Sequence, residues 1–259
     1  MTMAQIIAFA QRKGGSGKTT SAFNIAGALG CLGKRVLLVD MDPQVTLSTL
    51  CSAPLDEDLP GVLMAGGALE RLVYATPFNN VSIIPGHPDM VGLQEASLPQ
   101  ADLLLKRSMD ASPHLLDGFD ICLIDSPPLL GRLTLNVLVA AHGAVLPLNP
   151  QDFGSRHALD ETLSTIERVR KQRNYGLQLT GILMGQVRER TALGKQAVAA
   201  MRARFGDAVF EQIIPDAIGV QESLNARRPM VLYRPRSASA QAYTKIATAI
   251  ANGAPRGGA

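Results

Sequence analysis

Ten residues near the amino terminus, Gln11-Arg12-Lys13-Gly14-Gly15-Ser16-Gly17-Lys18-Thr19-Thr20, gather three glycines, two lysines and two threonines. Glycines in such a run let successive backbone N–H groups turn inward around an anion, and a helix opening directly after them adds its positive end. Lys18 is spaced to reach the β- and γ-phosphates of a nucleotide, and Thr19 to offer its hydroxyl to Mg²⁺. The usual spacing puts a glycine five residues before Gly17. Arg12 stands there instead, and an extra lysine, Lys13, guards the entrance to the loop. A glycine-rich turn with no ligand is the competing reading, and the strand before and helix after the loop weigh against it.

Short apolar runs alternate with longer amphipathic ones along the chain. Gln5–Ala10, Arg35–Asp40, Val81–Pro85, Phe119–Asp125, Ala144–Leu148 and Leu177–Met184 read as buried strands, with Ala208–Ile214 a strand or strand-like approach. Thr19–Leu32, Leu98–Ser112, Ala158–Gln172, Thr191–Phe205 and Ser237–Asn252 read as helices. Continuous Val, Ile and Leu in the strands, with helices between them, predicts an α/β fold: a doubly wound, mostly parallel sheet with helices on both faces. Residues 1–252 form one domain on this reading, and 253–259 (GAPRGGA) a disordered tail. Residues 52–80 show the least regular pattern.

The chain has 259 residues, enough to bury roughly three quarters of its unfolded surface. Apolar residues at 46% and charged residues at 18% exclude disorder. Aromatics at 4%, with no Trp, argue against stacking platforms for single-stranded nucleic acid. No apolar run reaches the roughly 18 residues of a spanning helix. The start lacks the basic region of a secretory signal, so a cytoplasmic location is expected. Cys31, Cys51 and Cys122 are too far apart for a metal cluster and read as thiols in a reducing compartment. The net charge of +3 conceals an asymmetry: residues 1–149 carry 9 Lys and Arg against 13 Asp and Glu, residues 150–259 carry 16 against 9. A basic half raises the expectation of a polyanionic partner.

Lys-Gly-Gly-x-Gly-Lys-Thr-Thr resembles the deviant phosphate loop of the ParA/MinD family of P-loop ATPases. Val39-Asp40-Met41-Asp42-Pro43-Gln44 is similar to that family's switch I, and Ile124-Asp125-Ser126-Pro127-Pro128 to its Walker B strand and switch II. Ile214-Pro215 and the segment Tyr233–Ser237, with Ala240 and Tyr243, resemble late ParA segments. The resemblance runs over nearly the whole chain and implies ATP and Mg²⁺ as ligands and weak ATPase activity. It assigns Gly14, Gly15, Ser16, Gly17, Lys18, Thr19, Thr20 and Pro215 to nucleotide binding. Lys13 would reach the partner's phosphates across an ATP-bound homodimer, and Asp42 would help position the attacking water. Thr19, Asp40 and Asp125 would serve the Mg²⁺ shell, with support of the following loop an alternative for Asp40.

The basic half would then bind DNA nonspecifically, with Arg190, Arg227, Arg228, Arg234 and Arg236 as candidate phosphate contacts. The implied role is positioning or segregation of a cargo over the nucleoid, with a ParB-like partner stimulating hydrolysis. Val45-Thr46-Leu47-Ser48 departs from the frequent Gly-Asn after Asp-Pro-Gln and is nearer plasmid-type and small ParA versions. Asp216 and Gly219 stand where many chromosomal members carry arginines. A MinD-like membrane regulator and a regulator of a flagellar or secretion apparatus are the alternatives. The former would need a bulky apolar face and basic flank that Lys245–Asn252 lacks, so no membrane is expected. A redox or amide-forming enzyme on the same fold is disfavoured by a cysteine-free switch II, Ser126–Leu133, and by the presence of Lys13.

Overall fold

The computed structural model describes residues 4–95, 100–151 and 153–253. Strand β1 (Gln5–Phe9) runs through the glycine loop into α1 (Lys18–Cys31), and β2 (Val36–Asp40) into the short α2 (Thr46–Leu50) and α3 (Leu59–Ala65). There follow β3 (Tyr74–Ala75), β4 (Val81–Ile84), α4 (Met90–Glu95), α5 (Leu104–Asp110), β5 (Ile121–Asp125), α6 (Arg132–Ala140) and β6 (Gly143–Leu148). The chain finishes with α7 (Phe153–Gln172), β7 (Gln178–Met184), α8 (Ala192–Phe205), α9 (Ile218–Asn225), α10 (Met230–Tyr233) and α11 (Ala238–Ala251).

The strands form one sheet in the order β3-β4-β2-β5-β1-β6-β7, parallel throughout except for β3. Side chains of a strand alternate between faces, and so does the core. Ile6 and Ala8 of β1 pack with α3 to α8, whereas Ile7 and Phe9 pack with α1, α2, α10 and α11. The doubly wound expectation is met. The pairing registers place Phe9 and Asp40 each opposite Asp125. The carboxyl ends of β1, β2 and β5 therefore deliver the glycine loop and two aspartates to one edge of the sheet, where ligands of open α/β sheets bind.

Several element boundaries differ from expectation. The helix expected over Leu98–Ser112 is confined to Leu104–Asp110, preceded by a turn at 100–103; residues 98 and 99 fall outside the described part. Ala208–Ile214 contributes one isolated bridge, Ile182 with Val209, and a second joins Val187 to Pro215 just beyond it. The irregular stretch 52–80 contains α3, whose first turn is capped by Asp58 accepting from the Gly61 N–H at 2.8 Å, with Pro60 behind it. Helix α6 had no counterpart in the sequence reading. Seven of its nine residues are buried, and at nine residues its apolar run is too short to be told from a strand by period. Of the tail, Gly253 forms part of a turn after α11, and 254–259 are outside the described residues. Cys51 and Cys122 are buried, their thiols pushed up by burial, while Cys31 is exposed at the end of α1. Among the described residues, no helix is long and apolar enough to cross a membrane.

Candidate active site

The glycine loop needs two left-handed backbone positions, and glycine occupies both: Gly15 at φ 71° and Gly17 at φ 94°. Gly17 is also the residue that opens α1, and no side chain caps the helix there. The first amides of α1 thus keep their hydrogen-bonding capacity at the positive end of a 14-residue helix. Ser16 lies buried in the loop with a hydroxyl that finds no partner among the described residues. Lys18 is buried, and its ammonium reaches the carbonyl of Lys13 only at 3.5 Å. Burial holds its pKa below the usual lysine value, against the raising influence of Asp125 and Asp42 nearby. A buried cation with one long hydrogen bond, beside an unpartnered hydroxyl and uncapped amides, is a donor set that fits a phosphate chain.

Thr19, the next residue, donates its hydroxyl to Asp125 Oδ2 at 2.5 Å. Burial, then the charge of Asp40, pushes the Asp125 carboxyl well above the usual carboxylate range; Thr19 and Lys18 oppose the shift. A dication beside these groups would restore the ionised form. The described residues contain no cluster of three or more His, Cys, Asp or Glu suited to a metal. A hydroxyl and one carboxylate nonetheless suit Mg²⁺, which keeps several waters and takes its other ligands from phosphate.

Asp40 is engaged differently. Its Oδ2 accepts from the Ser48 N–H at 2.9 Å and the Ser48 hydroxyl at 2.7 Å, and its Oδ1 from the Asp42 N–H at 3.1 Å. Burial pushes its pKa up to about 6 in spite of these three donors. These bonds tie Asp40 to the loop that follows β2. Asp42 is almost fully buried and turns its Oδ1 back to accept from the Gln44 N–H at 3.0 Å. Lys13 is half-buried at the loop entrance. The segment after β5 lies against the loop, with Pro128 next to Gly14, and Ser126 donates to the Phe9 carbonyl at 2.7 Å.

A cavity of about 400 Å³ adjoins the loop, lined by Ser16, Gly17, Thr20, Pro215, Ile218 and Tyr243 among others. The structure thus brings Lys18, Thr19, Asp42 and Asp125 together, and sets Pro215 beside Ser16, Gly17 and Thr20.

The candidate DNA contacts are all exposed. Arg227, Arg228, Arg234 and Arg236 share the segment around α10, and Arg190 lies on the separate loop before α8. Arg234 is paired with Glu222 at 2.9 Å, and Arg228 donates to the Leu232 carbonyl at 3.0 Å. This segment is docked on α1. The Met230 N–H donates to Asn24 Oδ1 at 2.7 Å, and Asn24 Nδ2 donates to the Thr20 carbonyl at 2.8 Å. A Cβ on Gly27 would lie 2.5 Å from Pro229 Cβ, so only glycine allows that approach. Sequence reasoning missed Asn24, Ser48 and Gly86; their roles depend on partners 206, 8 and 38 residues away.

A family described as an AAA domain matches residues 4–179. The chromosome-partitioning ATPase Soj of Thermus thermophilus is 37% identical over 93% of this chain and 93% of its own length. The sporulation initiation inhibitor protein Soj of Bacillus subtilis is 32% identical over 96% of this chain and 99% of its own. Among solved structures, cobyrinic acid a,c-diamide synthase of Mycobacterium smegmatis, with bound ADP and magnesium, superposes with a TM-score of 0.81. It is 30% identical and covers 96% of this chain and 94% of its own. With the glycine loop and both strand-end aspartate segments on one sheet edge, and with relatives 32% and 37% identical over more than nine-tenths of its length, the chain belongs to the ParA/MinD family of P-loop ATPases.

Proposed function

We propose that this chain is a single-domain ATPase that dimerises with ATP, binds duplex DNA without sequence preference and positions a cargo over the nucleoid in the cytoplasm. A ParB-like partner would stimulate its hydrolysis. The docking of the basic segment 227–236 on α1 carries this reading, because α1 is the helix that the phosphate loop opens into. The same contacts join Thr20, which lines the cavity at the phosphate loop, to Met230, between the arginines.

The loop amides of Gly14, Gly15, Ser16 and Gly17 and the ammonium of Lys18 hold the phosphates. Thr19 and Asp125 hold Mg²⁺, which when bound offsets charge on the phosphate oxygens. Thr20 and Pro215 line the nucleoside side of the site. Asp42 accepts a hydrogen bond from the attacking water and orients it; phosphoryl transfer asks for little more than positioning and charge stabilisation. Lys13 reaches the second nucleotide of the dimer. The apolar face of α11, with Tyr243, Ile246 and Ile250 buried, is already spent on the core, which favours DNA over a membrane as the surface.

The test is retention of random-sequence duplex DNA. Binding should require ATP and weaken steeply with salt, each neutralised phosphate adding about 0.9 to the log–log slope. Arg227→Ala with Arg228→Ala should weaken binding to all sequences alike and leave basal ATPase nearly unchanged. ATP-bound protein that retains no DNA at low salt would overturn the DNA reading.

A further inference from the structure

We infer that Ser48 is a positioning residue for hydrolysis, setting Asp42 through the carboxylate of Asp40; this rests on the reading of Asp42 above. Ser48 is fully buried in α2 and lies on the other side of a loop from the residue it governs. Its hydroxyl has one proton to give and gives it to Asp40 Oδ2 at 2.7 Å. The same oxygen accepts from the Gly86 N–H at 2.9 Å. The Ser48 amide adds a second bond to Asp40 Oδ2, and the remaining Asp40 oxygen takes the Asp42 N–H. One hydroxyl therefore ties together the end of β2, helix α2 and the loop after β4.

Two further features bear on this tie. A Cβ on Gly86 would stand 2.9 Å from the Asp40 carbonyl oxygen, so the β4 loop is pressed against the residue that Ser48 holds. Between Asp42 and Ser48 lies Val45 at φ 47°, a left-handed conformation that a β-branched residue adopts only when its surroundings impose it. The Ser48–Asp40 bonds close the loop that contains Val45. Without the hydroxyl, the Gly86 N–H loses its acceptor, Asp40 loses one of three donors, and Val45 has a route back to an ordinary conformation. Asp42 sits between Asp40 and Val45 and moves with them.

The experiment compares Ser48→Ala, Ser48→Thr and Asp42→Ala, with ATP turnover and the affinity for a non-hydrolysable ATP analogue both measured. Thermal melts establish that each variant is folded. Ser48→Ala should lower kcat roughly ten- to a hundredfold, the scale of an ångström misplacement, while analogue affinity stays within about twofold. Ser48→Thr keeps the hydroxyl and should recover most of kcat. Should Ser48→Ala melt below the assay temperature, Ser48→Cys retains the volume with a weaker donor and should show the same split. A folded Ser48→Ala with wild-type kcat, beside an inactive Asp42→Ala, overturns the role of Ser48 and leaves Asp42 standing. Loss of analogue affinity with kcat preserved overturns it as well. An Asp42→Ala protein that hydrolyses ATP normally removes the reading of Asp42, and this inference with it.

Discussion

Replacing Asn24 with alanine should destabilise the protein by about 2–3 kcal/mol. Asn24 is completely buried on α1, and its amide makes two hydrogen bonds, accepting from Met230 N–H and donating to the Thr20 carbonyl. Alanine strands the Met230 amide in an environment where Met230 itself is 1% exposed. A buried donor left unpaired costs about 1–3 kcal/mol, and the lost amide donor adds about 1. Alanine returns about half a kcal/mol through its better helix propensity. For a chain of this size the net effect corresponds to a fall in Tm of roughly 5–10 °C. Circular dichroism melts would measure it, and hydrogen exchange would locate it. The amides of Met230–Arg234 should lose protection first, because their segment is the one undocked. A shift below about 0.5 kcal/mol, or exchange unchanged at those amides, would refute the claim that Asn24 anchors the basic segment to α1.

Lys18→Ala should abolish ATP binding and turnover, since it removes the buried cation of the phosphate loop; isothermal titration with an ATP analogue checks this, and wild-type affinity would sink the loop assignment. In the absence of nucleotide and Mg²⁺, stability should fall as pH rises from about 4 through about 6, because burial raises the Asp40 pKa from 3.8 to about 6. The folded state then holds that proton more tightly than the unfolded one, so the contribution is complete below the unfolded pKa and lost above the folded one. Asp125 shifts in the same direction. Urea midpoints of wild type and Asp40→Asn across this range should converge at low pH and separate as pH rises, the wild type falling relative to the variant.

What the sequence disclosed and what it hid follow from how far apart the interacting residues lie. The glycine loop was legible because its chemistry is contained in eight consecutive residues, and the central strands because burial on both faces leaves continuous apolar runs such as RVLLVD. Helix α6 was hidden by its brevity: nine residues, RLTLNVLVA, are too few to separate a helical from a strand period in a mostly apolar run. The engagement of Asp40 was hidden too. A carboxylate at a strand end near a phosphate loop suggests a metal, and only the fold shows that Ser48 and the Asp42 amide meet it. The basic half was read by its charge, yet several of its arginines are paired, Arg188 with Asp216, Arg204 with Asp160 and Arg234 with Glu222.

The place of β1 in the sheet has a consequence for how the chain is made. Gln5 pairs with Ile121 on one side and Ile7 with Gly143 on the other. Neither neighbour of this central strand exists when the strand leaves the ribosome. At about 5–20 residues per second, roughly 5–25 s pass before β5 emerges, and longer before β6. During that interval QIIAF is an unpaired apolar segment with two open edges, and closing it into the sheet requires loops of more than a hundred residues. Folding is therefore a late, high-contact-order event gated by residues 121–148. A fragment ending before Ile121 would carry the entire phosphate loop and keep the β2–β4–β3 pairings, yet lack both strands that flank β1.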